Sequence, residues 1–211
     1  MLSVNQRDLA IAMEETGRIG AGTVRGALTP EARHGLVAAL DAAAFERAPE
    51  RVGDVRQDFG LLVMKPGLAP ADPPLSALLD LAEEYASLLR AQAMSLDEAW
   101  LADFVATDIH VQRYGLGSEG ISPHRDGRRF IKLISVFSFG SPAEFRLFRD
   151  RRGSPMRRYQ LDPGDLLLLR APGFADRPSA GPLHSVSGPA GEARHSITLR
   201  MEQPAATATA L

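Results

Sequence analysis

His124-Arg125-Asp126 puts an imidazole and a carboxylate two residues apart, and a second imidazole, His184, follows far downstream. Two histidines and one carboxylate hold three corners of an octahedron around a mononuclear non-haem metal. The three open corners can take a chelating co-substrate and dioxygen. If the backbone is extended, side chains at i and i+2 point the same way, so His124 and Asp126 would act together. The chain has no cysteine, which excludes disulfides, thiolate metal sites and a cysteine nucleophile at once. Any metal must therefore be held by His, Asp and Glu, a set suited to a hard or borderline ion such as iron(II). The rival reading is an ion pair between Asp126 and one of Arg125, Arg128 and Arg129 on the same loop.

Beyond His184 comes Arg194-His195-Ser196-Ile197-Thr198-Leu199-Arg200. Strand alternation gives Arg194, Ser196, Thr198 and Arg200 one face, and Ile197 and Leu199 the other. A planar guanidinium forms paired, charge-assisted hydrogen bonds to a carboxylate. Buried without an anion, two such cations would be heavily penalised. Either that face is wet, or a dicarboxylate sits against it.

These residues need a scaffold. At 211 residues the chain is long enough for one full core, and 45% hydrophobic content with a mean hydropathy of -0.11 is ordinary for a globular chain. No apolar run approaches the roughly 20 residues of a membrane span. Asn5, Gln6, Arg7 and Asp8 stand where a signal peptide would carry its apolar core, so a cytoplasmic location is expected. Net charge is -2 but unevenly spread. Residues 1–109 hold 9 Lys/Arg against 17 Asp/Glu, and residues 110–211 hold 15 against 9. The basic half carries the candidate ligands, which points to an anionic substrate or co-substrate, or else to two solvated faces of opposite sign.

In chain order, residues 4–16 predict a short amphipathic helix ending at Gly17, and Gly22 to Leu28 a strand. Thr29-Pro30-Glu31 is a helix start, with apolar spacing to about Phe45. Asp58 to Met64 predicts a strand, and Pro66, Gly67, Pro70, Pro73 and Pro74 a loop. Leu75 to Leu89 carries the apolar stripe of a second long helix, and Ser95 is placed as the cap of a shorter one. From Val105 onward the pattern is β. Asp108 to Tyr114 alternates, so that His110, Gln112 and Tyr114 share a face. Phe130 to Phe139 and Leu166 to Leu169 predict strands buried on both faces. Residues 144–148 and 156–161 flank a turn, and 181–186 and 193–201 complete about eight strands.

Helices followed by strands predict an α+β, mainly β fold: a jelly roll, or double-stranded β-helix, with N-terminal helices packed on one sheet. Residues 1–104 would form a strand-and-helix extension packed on the barrel, 105–203 the barrel and 204–211 a frayed tail, a single domain in all. Such a barrel brings distant strands to one mouth, where positions 124 and 184 could meet.

Five stretches resemble the iron(II)- and 2-oxoglutarate-dependent dioxygenases, AlkB-like branch: Gln112-Arg113-Tyr114, His124-Arg125-Asp126, Leu133-Ile134-Ser135-Val136, His184, and Arg194 through Arg200. The resemblance implies that His124, Asp126 and His184 bind Fe(II). It implies that Arg194 and Arg200 hold 2-oxoglutarate, helped by Tyr114, Gln112 and Ser196, with O2 as the second co-substrate. It also implies oxidative demethylation of alkylated single-stranded nucleic acid. Departures from the family leave other substrates open. Gln112 replaces the usual Asn, Gly60-Leu61-Leu62-Val63 has no aromatic to cover a flipped base, and Arg128 stands where an acidic residue often reads it. Phe137, Phe139, Phe145 and Phe148 read as core rather than as stacking platforms. The alternatives are hydroxylation of a small molecule or protein side chain, and a non-catalytic jelly roll that senses metal or 2-oxoglutarate.

Overall fold

The computed structural model describes residues 1–66, 73–96, 98–178 and 180–204. Among these, strands fall into two antiparallel sheets. The larger contains β1 (Ala21–Val24), β2 (Glu46–Arg47), β5 (Gly60–Met64), β6 (Asp108–Tyr114), β8 (Phe130–Gly140), β11 (Leu166–Arg170) and β13 (Arg194–Glu202). The smaller contains β3 (Arg51–Val52), β4 (Val55–Asp58), β7 (Gly120–His124), β9 (Ala143–Phe148), β10 (Arg157–Leu161) and β12 (Leu183–Val186). Spatial orders are β1-β11-β8-β13-β6-β5-β2 and β10-β9-β12-β7-β4-β3. From β6 onward the chain crosses between the sheets repeatedly.

Two hydrophobic layers hold this together, and alternation decides which residue joins which. On β11, Leu166 and Leu168 face three helices, while Leu167 and Leu169 face the smaller sheet. All four are buried, each contributing about 2 kcal/mol of apolar burial. On β13, Ile197, Leu199 and Met201 join the helix layer, together with Ile109 and Val111 of β6. The helices α1 (Gln6–Ile19), α2 (Pro30–Ala42) and α3 (Pro73–Leu96) supply Leu9, Leu36, Leu40, Leu78, Tyr85 and Leu89 to that layer. Between the sheets lie Ile121, Phe145, Leu147, Tyr159 and Val186 of the smaller one, against Tyr114, Ile134 and Leu169 of the larger.

Several boundaries differ from the sequence reading, each for a local reason. Helix α1 runs past Gly17 to Ile19, because Gly20 at φ 103° supplies the left-handed cap and donates to the Thr16 carbonyl. Strand β1 stops at Val24, where Gly26 turns the chain at φ 57° and Asp165 accepts its N–H. Helix α2 ends at Ala42, short of Phe45. The expected strand 58–64 is divided at Phe59, with β4 in one sheet and β5 in the other. Pro73 and Pro74 open α3 instead of closing a loop, as proline's fixed φ allows in a first turn. The rest of that loop, 67–72, lies outside the described residues, as does the tail from 205. Ser95 lies inside α3, where its hydroxyl donates to the Gln92 carbonyl, and among the described residues the next helical element is a 3-10 turn, Ala99–Leu101.

Candidate metal centre

The two histidines meet because of strand register. His184 on β12 is paired directly with His124 on β7. Two residues further along β12, Val186 pairs with Ile121, three residues from His124. The extra residue in β7 is a bulge, and it turns both Ile121 and His124 toward the interior, where strict alternation would allow one. Asp126 lies two residues beyond the end of β7. One ligand atom from each of His124, Asp126 and His184 lies within 4.8 Å of the others. His184 Nε2 is 3.5 Å from Asp126 Oδ2, and the imidazole centroids are 4.3 Å apart.

Both rings are oriented by the same device. His124 Nδ1 is 2.9 Å from the Ser122 carbonyl and His184 Nδ1 is 3.0 Å from that of Pro182. A carbonyl can only accept, so each Nδ1 carries the proton and each Nε2 presents a lone pair. Phe145 stacks on His184 at 5.1 Å and 23°. Burial, reinforced by His124, pushes the His184 imidazole down to about 4, so it is neutral and ligand-competent near neutral pH. The donor set is therefore arranged as a divalent metal requires. The rival sequence reading is not what the structure shows: Arg125 donates to the Gly181 carbonyl, Arg129 pairs with Glu202, and the arginine nearest Asp126 is Arg200 at 3.8 Å.

The three candidate ligands open onto a cavity shared with Gln112, Tyr114, Arg194, Ser196, Thr198 and Arg200. β13 lies between β8 and β6, so its inward side chains form the cavity's central row. Arg194 is 1% exposed. Its Nη2 donates to Ser138 Oγ at 3.2 Å, and its guanidinium lies 5.1 Å from the Tyr114 ring centre. Its Nε and Nη1 are buried with no hydrogen-bond partner. Burial lowers the Arg194 pKa, opposed by the Tyr114 hydroxyl, and among the described residues no carboxylate pairs with the cation. Ser196 Oγ donates to Gln112 Oε1 at 2.8 Å, tying those two side chains together.

Arg200 is different, because the chain supplies its anion. Nε and Nη2 donate to Asp108 Oδ1 at 2.9 and 2.6 Å. Burial works to raise the Asp108 carboxyl, but His110, Arg200 and Lys65 outweigh it and hold it well below the usual carboxylate range. The sequence reading missed Asp108, Lys65 and Phe145. Asp108 was within reach, since it shares the inward face of β6 with His110 and Gln112. Nothing in the sequence marks Phe145 as a neighbour of His184. Phe137 and Phe139 are core, as expected, whereas Phe148 is half-buried. Among the arginines of the β9–β10 hairpin, Arg146 and Arg158 share Glu144, and Arg157 reaches Glu15.

No family model matches the chain, and no curated protein matches it. Solved structures do. A Pseudomonas putida prolyl-4-hydroxylase superposes with a TM-score of 0.60 at 14% identity, covering 92% of this chain and 99% of that one. A Trichoplax adhaerens prolyl hydroxylase, in complex with a hypoxia inducible factor oxygen degradation domain peptide, gives 0.58 at 14% identity, covering 93% and 90%. At that identity the likeness is one of fold, over nearly the whole chain, and it does not single out the AlkB-like branch.

Proposed function

We propose that this protein is an iron(II)- and 2-oxoglutarate-dependent oxygenase built on a double-stranded β-helix, with His124, Asp126 and His184 as metal ligands. Arg194 carries the reading. An unpaired, fully buried guanidinium beside a 2-His-1-carboxylate set calls for an anion. A dicarboxylate that chelates the metal at one end and meets a cation at the other answers both demands. The likeness to two prolyl hydroxylases, enzymes of this oxygenase class, supports it.

Bound there, iron(II) with 2-oxoglutarate and dioxygen supplies oxidation of a substrate C–H bond, with succinate and carbon dioxide as co-products. The chain's residues orient and shield. The Ser122 and Pro182 carbonyls fix the imidazole tautomers, and Arg194 anchors the distal carboxylate alongside Tyr114, Gln112 and Ser196. Ile134, Val136, Leu161 and Leu169 keep the cavity wall apolar.

Two substrate classes follow from different observations. The resemblance to the AlkB-like branch and the basic C-terminal half favour alkylated single-stranded nucleic acid. The aliphatic Leu61, Leu62 and Val63, and the peptide held by one structural neighbour, favour hydroxylation of a peptide side chain or small molecule. The test is succinate release with iron(II), ascorbate and 2-oxoglutarate, with N-methylated oligonucleotides or proline peptides added separately, and His184→Ala as control. Turnover that His184→Ala abolishes supports the oxygenase, and the stimulating addition names the substrate class. No succinate under any addition would refute catalysis and leave a metal- or 2-oxoglutarate-binding sensor.

A further inference from the structure

Asp126 shows its two oxygens to different neighbours. Oδ2 lies toward His184 Nε2 at 3.5 Å, and Oδ1 lies 3.8 Å from Arg200 Nη1. A guanidinium so close to a ligand carboxylate is a competitor for it, since a positive charge at that carboxylate opposes the arrival of a divalent cation. What keeps Arg200 from closing the remaining distance is Asp108. That carboxylate is 1% exposed, accepts two hydrogen bonds from Arg200, and also meets Lys65 Nζ at 2.7 Å and His110 Nε2 at 3.2 Å. Register enforces the pairing, because Arg200 on β13 lies directly opposite Asp108 on β6.

We infer that Asp108 is a positioning residue for the metal centre: it neutralises Arg200 and holds it at its own carboxylate, which leaves Asp126 free to ligate. The inference rests on the metal reading above. It also explains a division of labour between the two buried arginines. Arg194 has no internal anion and is available to a co-substrate, whereas Arg200 is already engaged. Lys65 completes the arrangement by bridging Asp108 and Glu202 at 2.7 and 2.6 Å, so the hub has its own charge balance without drawing on Asp126.

The test is Mn(II) binding by calorimetry, without co-substrate, in the wild type, Asp108→Asn, Arg200→Met and the double variant. Asn preserves size and removes the charge that answers Arg200. Disturbing a residue that orients a metal ligand costs about 10–100-fold in metal affinity, so Asp108→Asn should weaken Mn(II) binding at least tenfold. In the Arg200→Met background the same substitution should change affinity less than about twofold, because the competitor is gone. Wild-type affinity in Asp108→Asn, or an equal loss in both backgrounds, would overturn the inference. If Asp108→Asn alone does not fold, Arg200→Met and the double variant still decide it: equal affinities support the role, and a tenfold gap overturns it. Absence of Mn(II) binding in the wild type, indistinguishable from His184→Ala, would overturn the metal reading and the inference with it.

Discussion

Replacing Arg194 with methionine should make the ligand-free protein more stable while abolishing its response to 2-oxoglutarate. The substitution keeps a long, flexible chain and removes the cation. Two buried nitrogens, Nε and Nη1, have no hydrogen-bond partner, and each such group costs about 1–3 kcal/mol. Against this, the change forfeits one hydrogen bond to Ser138 and the contact with the Tyr114 ring, together about 2 kcal/mol. The net expectation is a gain of about 2 kcal/mol, or about 4–8 °C in Tm for a chain of this length. In the wild type it is the ligand that supplies the stabilisation. At a hundredfold excess over Kd, a ligand that binds only the folded state adds about 2.7 kcal/mol. Thermal unfolding with Mn(II) present, with and without 2-oxoglutarate, reads both quantities. The expected result is a wild type that shifts upward with 2-oxoglutarate and an Arg194→Met variant that starts higher and does not shift. A variant that melts several degrees lower and still responds to 2-oxoglutarate would refute the reasoning, because Arg194 would then be a structural residue.

The buried imidazole of His184, pushed down to about 4, makes stability depend on pH. Its folded pKa lies below the unfolded value near 6.5, so the unfolded chain takes up the proton first. Its contribution is complete above about pH 6.5 and is lost as pH falls toward about 4; urea midpoints of metal-free protein should decline across that window, and less so in His184→Gln. Phe145→Ala removes a ring stacked on His184 and should cost about 3–5 kcal/mol in denaturant unfolding, with weaker Mn(II) binding in calorimetry. Gly22→Ala would drive a Cβ into the Ala12 carbonyl of α1, where backbone cannot yield cheaply, and should lower stability by about 1–3 kcal/mol in a thermal scan.

The sequence disclosed the layers better than the joints. Alternation in Leu166 to Leu169 and in Arg194 to Arg200 depends only on the pleat, so inward and outward faces could be read directly. His124 and Asp126 were legible as a His-x-Asp pair in a chain without cysteine, and the resemblance to the 2-oxoglutarate oxygenases is what added His184. Three things were not legible. The β7 bulge that aims His124 is set by pairing with β12, which no local pattern records. The strand expected over 58–64 divides between sheets at Phe59 for tertiary reasons. Asp108 could be read as an inward residue of its strand, but its pairing with Arg200, ninety-two residues away, was concealed, because only register reveals cross-strand partners.

The direct pairing of His124 with His184 has a kinetic consequence. The two side chains stand on adjacent strands sixty positions apart in sequence, and the chain between them forms β8, β9, β10 and β11. Closing so large a loop is entropically expensive before its contacts repay it, and topologies ruled by distant pairings fold slowly. The candidate ligands therefore come together only when β12 docks between β7 and β9. A metal added during refolding should leave the phases before this docking unchanged and slow its reversal, so that a bound ion would act as a latch on the finished fold.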